Sequence, residues 1–270
     1  MDSQKMLTVI ALYLGLGAVA GILAGLLGIG GGLVIVPLLV FAFSWQGLPE
    51  AHLMHLALGT SLASIIFTSI SSFLAHHRRG AVYWPVVRGV APGVVLGTFA
   101  GSFVAAALST TFLQVFFALF LYFVCWQMLS GRRPQPGRSL PGAAGLNAVG
   151  GGIGIFSSLV GIGGGTLSVP FMLWCNIGIH QAIGTSAAIG FPIAVAGTAG
   201  YLINGWQSTA LPAWSLGYLY LPALLGIVAA SVLTAPLGVR LAHSLPVASL
   251  KKIFALLLLL VATRMLWGAW

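Results

Sequence analysis

The stretch LLGIGGGLVIVP, residues 26–37, places four glycines among the five residues Gly28 to Gly32 and follows them with Val34, Ile35, Val36 and Pro37. It stands inside a long apolar run. Glycine in a helix interior costs about 1 kcal/mol relative to alanine, and several in near succession stop a helix. β-Branched residues favour extended backbone, and the residue before a proline is turned away from helix. Proline itself is at ease in the first turn of a new helix. Residues 28–36 are therefore expected to be non-helical, with a helix restarting near Pro37. The same pattern returns as LVGIGGGTLSVP, residues 159–170.

The surroundings of both copies are those of a membrane protein. Of the 270 residues 59% are hydrophobic and 5% charged, and the mean hydropathy is +1.07. Eleven Lys and Arg with two acids cannot wet the surface of a soluble domain of this size, so the chain is read as an all-α polytopic membrane protein. The net charge of +9 does not point to nucleic acid. The basic residues are scattered through short loops rather than gathered on one polar face, and they read as signals that hold loops in the cytoplasm. Cys125 and Cys175 lie inside apolar runs, which argues against a disulfide framework or a zinc site. Lys5, an apolar run and Ala18–Ala20 imitate a signal peptide, but the run continues into the glycine motif and reads as a mature span.

Apolar runs cover roughly 7–27, 33–45, 51–74, 84–107 and 112–130, then 142–160, 166–178, 182–203, 214–237 and 249–270. The Arg-, Pro- and Gly-rich segment SGRRPQPGRSLPG between them is the one clear linker. This divides the chain into a first transmembrane repeat (1–130), a cytoplasmic linker (131–141) and a second repeat (142–270), each with four to five hydrophobic segments, about eight to ten in all. The halves align through the glycine motif and through HLALGTSLA from His55, which returns as HQAIGTSAA from His180. Ladders of small residues four apart support the alignment: Gly17, Gly21, Gly25 with Gly150, Gly154, Ser158, and Gly89, Gly93, Gly97, Gly101 with Gly226, Ala230, Thr234, Gly238. Such faces let helices approach closely in lipid. Runs 33–45 and 166–178 are too short to span comfortably and are expected to be broken or re-entrant pieces. Four crossings per half would make the repeats parallel; five would invert them and place both termini outside. The loop charges favour the inverted arrangement slightly.

Non-helical backbone at membrane depth survives only where it lines a cavity or packs inside protein. Two such breaks at equivalent positions of two halves point to a carrier's central site. Free peptide N–H groups beside a restarting helix attract anions. The doubled GxxGIGGGxxxVP, each copy followed by GTS, resembles the sulfite exporter TauE/SafE family, also called the toluene-sulfonate uptake permeases, across residues 10–265. The one departure is Ser158 where the first copy has Gly25. The resemblance implies a multi-pass carrier in the inner (cytoplasmic) membrane, moving sulfite, sulfonates or related organosulfur or carboxylate anions. The family motif falls on Gly28, Gly30, Gly31, Gly32 and Pro37 and again on Gly161, Gly163, Gly164, Gly165 and Pro170.

Beside these glycines stand hydroxyl pairs, Thr60–Ser61 and Thr185–Ser186, able to donate to an oxyanion or to back-bond to their own helices. His55 and His180 are equivalent in the two halves and could carry a proton or bind an anion when charged. Asp2 and Glu50 are the only acids and neither lies deep in a run, so a carboxylate proton relay or a sodium site built on Asp or Glu is not expected. No nucleotide-binding loop or protease motif is present, and no catalytic residue, metal site or cofactor is expected. The expected partners are a small anion and the lipid bilayer, by alternating access of one half against the other. The competing expectations are a passive anion channel and a carrier of non-sulfur carboxylates.

Overall fold

A computed structural model describes residues 3–27, 31–130, 137–208, 210–244 and 247–268. Among them the chain forms ten α-helices: α1 (Ser3–Leu27), α2 (Gly32–Trp45), α3 (Leu53–Arg78), α4 (Trp84–Ala107), α5 (Thr110–Ser130), α6 (Ala143–Val160), α7 (Gly165–Trp174), α8 (Ile179–Gly205), α9 (Leu221–Ser244) and α10 (Val247–Trp267). A 3₁₀ turn, Glu50–His52, leads into α3. A two-stranded hairpin, β1 (Ser215–Leu216) and β2 (Leu219–Tyr220), leads into α9, with Ser215 opposite Tyr220. Among the described residues five helices are long and apolar enough to cross a membrane by length and composition, α3 with its 3₁₀ turn, α4, α5, α6 and α8. The fold is thus the all-α, many-span architecture that the composition implies.

The short runs are short helices. α2 has 14 residues and α7 has 10, about 21 Å and about 15 Å at 1.5 Å per residue. Neither starts at its proline, which corrects the expectation of non-helical backbone over residues 28–36 for its described part, residues 32–36. Gly31 (φ 73°) and Gly164 (φ 74°) take the left-handed conformation that only glycine adopts cheaply, and helix begins immediately after each. Val34, Ile35 and Val36 are helical because all three are almost fully buried, and tertiary packing outweighs a propensity penalty of a few tenths of a kcal/mol per residue. Pro37 and Pro170 lie at the sixth helical position of α2 and α7. Lacking N–H groups, they remove the bonds that the carbonyls of Leu33 and Thr166 would receive.

Helices from the two halves pair crosswise. α1 packs along α9 and α6 along α4, while α3 faces α8 and α5 faces α10; α3 also touches α9, and α4 touches α8. The small-residue ladders sit in the first two of these seams. Gly17 lies against Ile227 and Ala230, and Gly21 against Ser231 and Thr234. Gly93 and Gly97 lie against Asn147 and Gly151, and Gly150 and Gly154 against Val90, Val94 and Thr98. The Thr234 hydroxyl donates across the first seam to the Ala18 carbonyl, 3.1 Å away. The first-half helices α1 and α4 therefore find their closest partners in the second half. The core between the seams is aliphatic, with Leu56, Leu58, Leu62 and Ile65 of α3, and Leu33, Ile35 and Leu39 of α2, at most 2% exposed. Cys125 and Cys175 are buried and unpaired with each other.

Candidate functional site

The second glycine break joins α6 to α7. α6 is closed by Gly161, left-handed at φ 67°, whose N–H donates to the Ser157 carbonyl at 2.8 Å, as does that of Ile162 at 3.2 Å. Gly164 then opens α7, its carbonyl accepting from Leu167 and Ser168 at 3.1 and 2.8 Å. All of Gly161–Gly164 is buried. Among the described residues no acceptor is found for the N–H groups of Gly163, Gly164, Gly165 and Thr166. They lie at a helix N-terminus, where the peptide dipoles sum to roughly half a positive charge.

Three hydroxyls belong to the segments on either side of this break, Ser157 near the end of α6 and Thr166 and Ser168 in the first turn of α7. Ser157 and Ser168 are 0% and 1% exposed, and neither hydroxyl has a hydrogen-bond partner; the buried Thr166 hydroxyl also lacks one. The Ser157 oxygen lies 3.5 Å from where a Cβ on Gly164 would stand, so it is directed at the cap of α7. Burying an unpaired hydroxyl costs about 1–3 kcal/mol, and two at one break call for an acceptor.

The first break lies partly outside the described residues, Gly28 and Gly30 among those not described. Its described end, Gly31–Gly32, is buried and meets the second break directly. A Cβ on Gly32 would stand 2.8 Å from the Gly161 carbonyl oxygen and 3.0 Å from Ile162 Cα. Ser61 joins this contact, donating from its hydroxyl to the Gly161 carbonyl at 2.9 Å. Gly163 rests on Ile65 of α3 and Gly190 of α8. The aliphatic wall is close: a Cβ on Gly164 would meet Ile193 Cδ1 at 2.5 Å, and one on Gly161 would meet Leu58 and Val36. Gly165 and Pro170 are half-buried in α7, while Pro37 is buried in α2, five residues past its start.

The threonines have a different environment. Thr60 Oγ1 accepts the N–H of Tyr220 at 3.0 Å, and Thr185 Oγ1 accepts that of Tyr83 at 2.8 Å. Each tie holds the residue just before a long helix, α9 or α4. The preceding glycine admits the same loop: the Tyr218 carbonyl abuts Gly59, and the Ala81 carbonyl abuts Gly184. The threonine of each GTS triplet thus clips the loop of the opposite half, neither back-bonding to its own helix nor lying at the break, whereas Ser61 bonds to the break at Gly161. Ser186 is buried beside it. His55 and His180 occupy unlike places: His55 is 3% exposed in the body of the protein, whereas His180 is exposed.

Sequence reasoning passed over Ser157, Thr166 and Ser168. The two copies of the motif carried the signal, because at the matching positions the first copy has Ala24, Leu33 and Ile35. The second break is the polar one.

Many-span helices interrupted by a buried, glycine-capped, donor-rich break define a membrane transporter rather than a bundle held together by packing alone. The chain belongs to the family described as sulfite exporter TauE/SafE, which it matches over residues 13–265. It is 44% identical over 263 residues to a probable membrane transporter protein of Haemophilus influenzae, covering 96% of this chain and 99% of the relative. A probable membrane transporter protein of Methanocaldococcus jannaschii is 24% identical over 240 residues, 88% of each chain. The probable membrane transporter protein YunE of Bacillus subtilis is 27% identical over 218 residues, 70% of this chain and 77% of its own. No solved structure matches.

Proposed function

We propose that this transporter is a secondary carrier of small anions in the cytoplasmic membrane, its substrate a sulfur oxyanion or organosulfonate. The reading rests on one observation above all: among the described residues the N–H groups of Gly163, Gly164, Gly165 and Thr166 find no acceptor, while the buried hydroxyls of Ser157, beside the cap of α7, and of Ser168, in its first turn, have no hydrogen-bond partner. An oxyanion there would accept from both sets of donors without a cationic side chain, and charge-assisted bonds of this kind are the stronger ones. The described end of the first break, Gly31–Gly32, and Ser61 stand against Gly161 on the opposite side. The family description supplies the chemical class of the substrate.

Ile193 packs against Gly164 in this conformation. Access then requires packed elements to part. The crosswise seams α1–α9 and α4–α6 oppose a rocking of residues 1–130 against 142–270, which would pull both apart. The moving bodies each draw helices from both halves.

Binding to the purified protein, measured with sulfite, thiosulfate, sulfoacetate, taurine and simple carboxylates, tests the reading. One or more of the sulfur anions should bind, and Ser157→Ala and Ser168→Ala should each weaken it about tenfold or more, the worth of a hydrogen bond to a charged group at about 1.5–3 kcal/mol. Since neither hydroxyl bonds within the protein, both variants should fold normally. Undiminished binding in the double variant would remove the site. Saturable exchange in liposomes distinguishes a carrier from a channel, which would conduct far faster.

A further inference from the structure

Away from the glycine breaks, at the start of α3, imidazole and phenol rings form a stack. His55 lies 5.0 Å from Tyr218 and 6.0 Å from His52, centroid to centroid, and His52 lies 5.5 Å from Tyr218. Tyr218 in turn meets Tyr201 edge-on at 6.5 Å. The Tyr201 hydroxyl donates to the Ser158 carbonyl at 2.9 Å, next to Ser157 at the second break. The stack therefore runs from His52, half-buried at the edge of the protein, to the backbone that carries the proposed anion site. Along α3 itself, six residues separate His55 from Ser61, about 9 Å.

The protonation chemistry of His55 follows from one contact. Its Nε2 lies 3.1 Å from the Ala105 carbonyl, which can only accept, so Nε2 carries the hydrogen of the neutral ring. Nδ1 is then the bare, basic nitrogen, and it is buried with no partner. A buried acceptor left empty is as much in need of explanation as a donor. The groups facing it are few. His52 and the carbonyls of Ala105 and Leu108 are its electrostatic neighbours; Tyr218 from the hairpin lies against it, and Tyr201 from α8 stands behind. His52 also has an unpartnered Nδ1, and its Nε2 lies 3.3 Å from the Ser208 hydroxyl. Glu50, one of two acids in the chain, is exposed in the same 3₁₀ turn as His52. The other half has no counterpart, since His180 is exposed and Ile177 stands where His52 does in the first half.

We infer that His55 is the proton-binding site of the carrier, taking the coupling proton at Nδ1 and exchanging it with solvent through His52. The inference rests on the carrier reading above, but proton uptake by the ring is measurable without an anion. A proton taken up at Nδ1 places a positive charge within the body of the protein near the anion site, and its return on the other side resets the cycle. The chemistry is one proton bound and one released, with no other reactant.

Two measurements test it. In protein carrying ¹⁵N-histidine in nanodiscs, the His55 Nδ1 resonance, assigned by its loss in His55→Gln, should change from bare to protonated as the pH falls from about 9 to about 5. A ring that stays neutral throughout overturns the inference whatever transport does. In proteoliposomes with ³⁵S-thiosulfate, which stays fully ionised over this range, a gradient of one pH unit should sustain up to about tenfold accumulation per coupled proton, the factor equivalent to about 1.4 kcal/mol. Glutamine can still donate to Ala105 but cannot take a proton, so His55→Gln should lower the ratio of gradient-driven accumulation to counterflow exchange about tenfold. His77→Gln, an exposed histidine elsewhere, should not change that ratio. Wild-type accumulation in His55→Gln overturns the proton site, whereas failure of every sulfur anion to bind, with His55 still titrating, overturns the carrier reading alone.

Discussion

Replacing Thr185 with valine tests whether the GTS triplet is a clip. The substitution keeps the volume and β-branching of the side chain and removes one atom's chemistry. The hydroxyl accepts the Tyr83 N–H at 2.8 Å, and Thr185 is 0% exposed. Without it the amide loses its acceptor where Gly184 is pressed against the Ala81 carbonyl, and losing a neutral hydrogen bond in this part-buried place costs about 0.5–1.5 kcal/mol. Hydrogen exchange at the Tyr83 amide should then accelerate between about twofold and about tenfold, because each 1.4 kcal/mol is a factor of ten in the opening equilibrium. Exchange read by mass spectrometry on peptides covering the start of α4 resolves this from changes elsewhere. Thr60→Val should do the same at Tyr220 and the start of α9. The ties lie at the starts of different helices, so the losses in the double variant should add. Thr185→Ser keeps the acceptor and should keep the protection. Unchanged exchange at Tyr83 in Thr185→Val, with unchanged stability, would refute the clip.

Gly164→Ala should destabilise the protein by about 2–4 kcal/mol, combining left-handed strain with crowding against Ile193; Ile193→Val should recover the crowding share alone in denaturant titrations. Gly93→Leu should prevent assembly of the α4–α6 seam, read as aggregation in size-exclusion chromatography, because the Asn147 carbonyl occupies the space. Gly152→Leu, on the same helix pair but facing nothing within 4 Å, should behave as wild type. Gln46→Leu should loosen the contact between α1 and the end of α2 by about 1 kcal/mol, since its amide donates to the Tyr13 hydroxyl at 2.7 Å; unchanged stability would refute this.

The many-span helical architecture was readable from composition and run length, because a bilayer imposes both on any chain that crosses it. The short helices α2 and α7 were readable from the same lengths. Their starting points were not. Glycine and β-branched residues lower helix propensity by amounts that the burial of Val34, Ile35 and Val36 overrides, and nothing local reports that burial. The small-residue ladders announced close packing, but a spacing of four names a face and not its partner, so the exchange of partners between the halves was invisible. The GTS hydroxyls looked alike as ligands or as back-bonders because a threonine's partner lies more than a hundred residues away. His55 and His180 sit in matching sequence, yet His55 is enclosed by the hairpin before α9 whereas His180 is exposed at the start of α8. Ser157 and Ser168 were missed because attention to what the two copies share hides what distinguishes them.

The crosswise seams also dictate an order of events as the chain is made. α1 leaves the ribosome more than two hundred residues before α9, and α4 precedes α6 by the length of α5 and the linker. Until then the glycine-lined flank of α1 has no mate, and a small-residue flank is an open invitation to any other helix with a similar groove. The nascent first half must wait, incompletely assembled, for translation to finish, so a truncated product ending in the linker would be a candidate for quality-control proteolysis rather than a half-sized working unit.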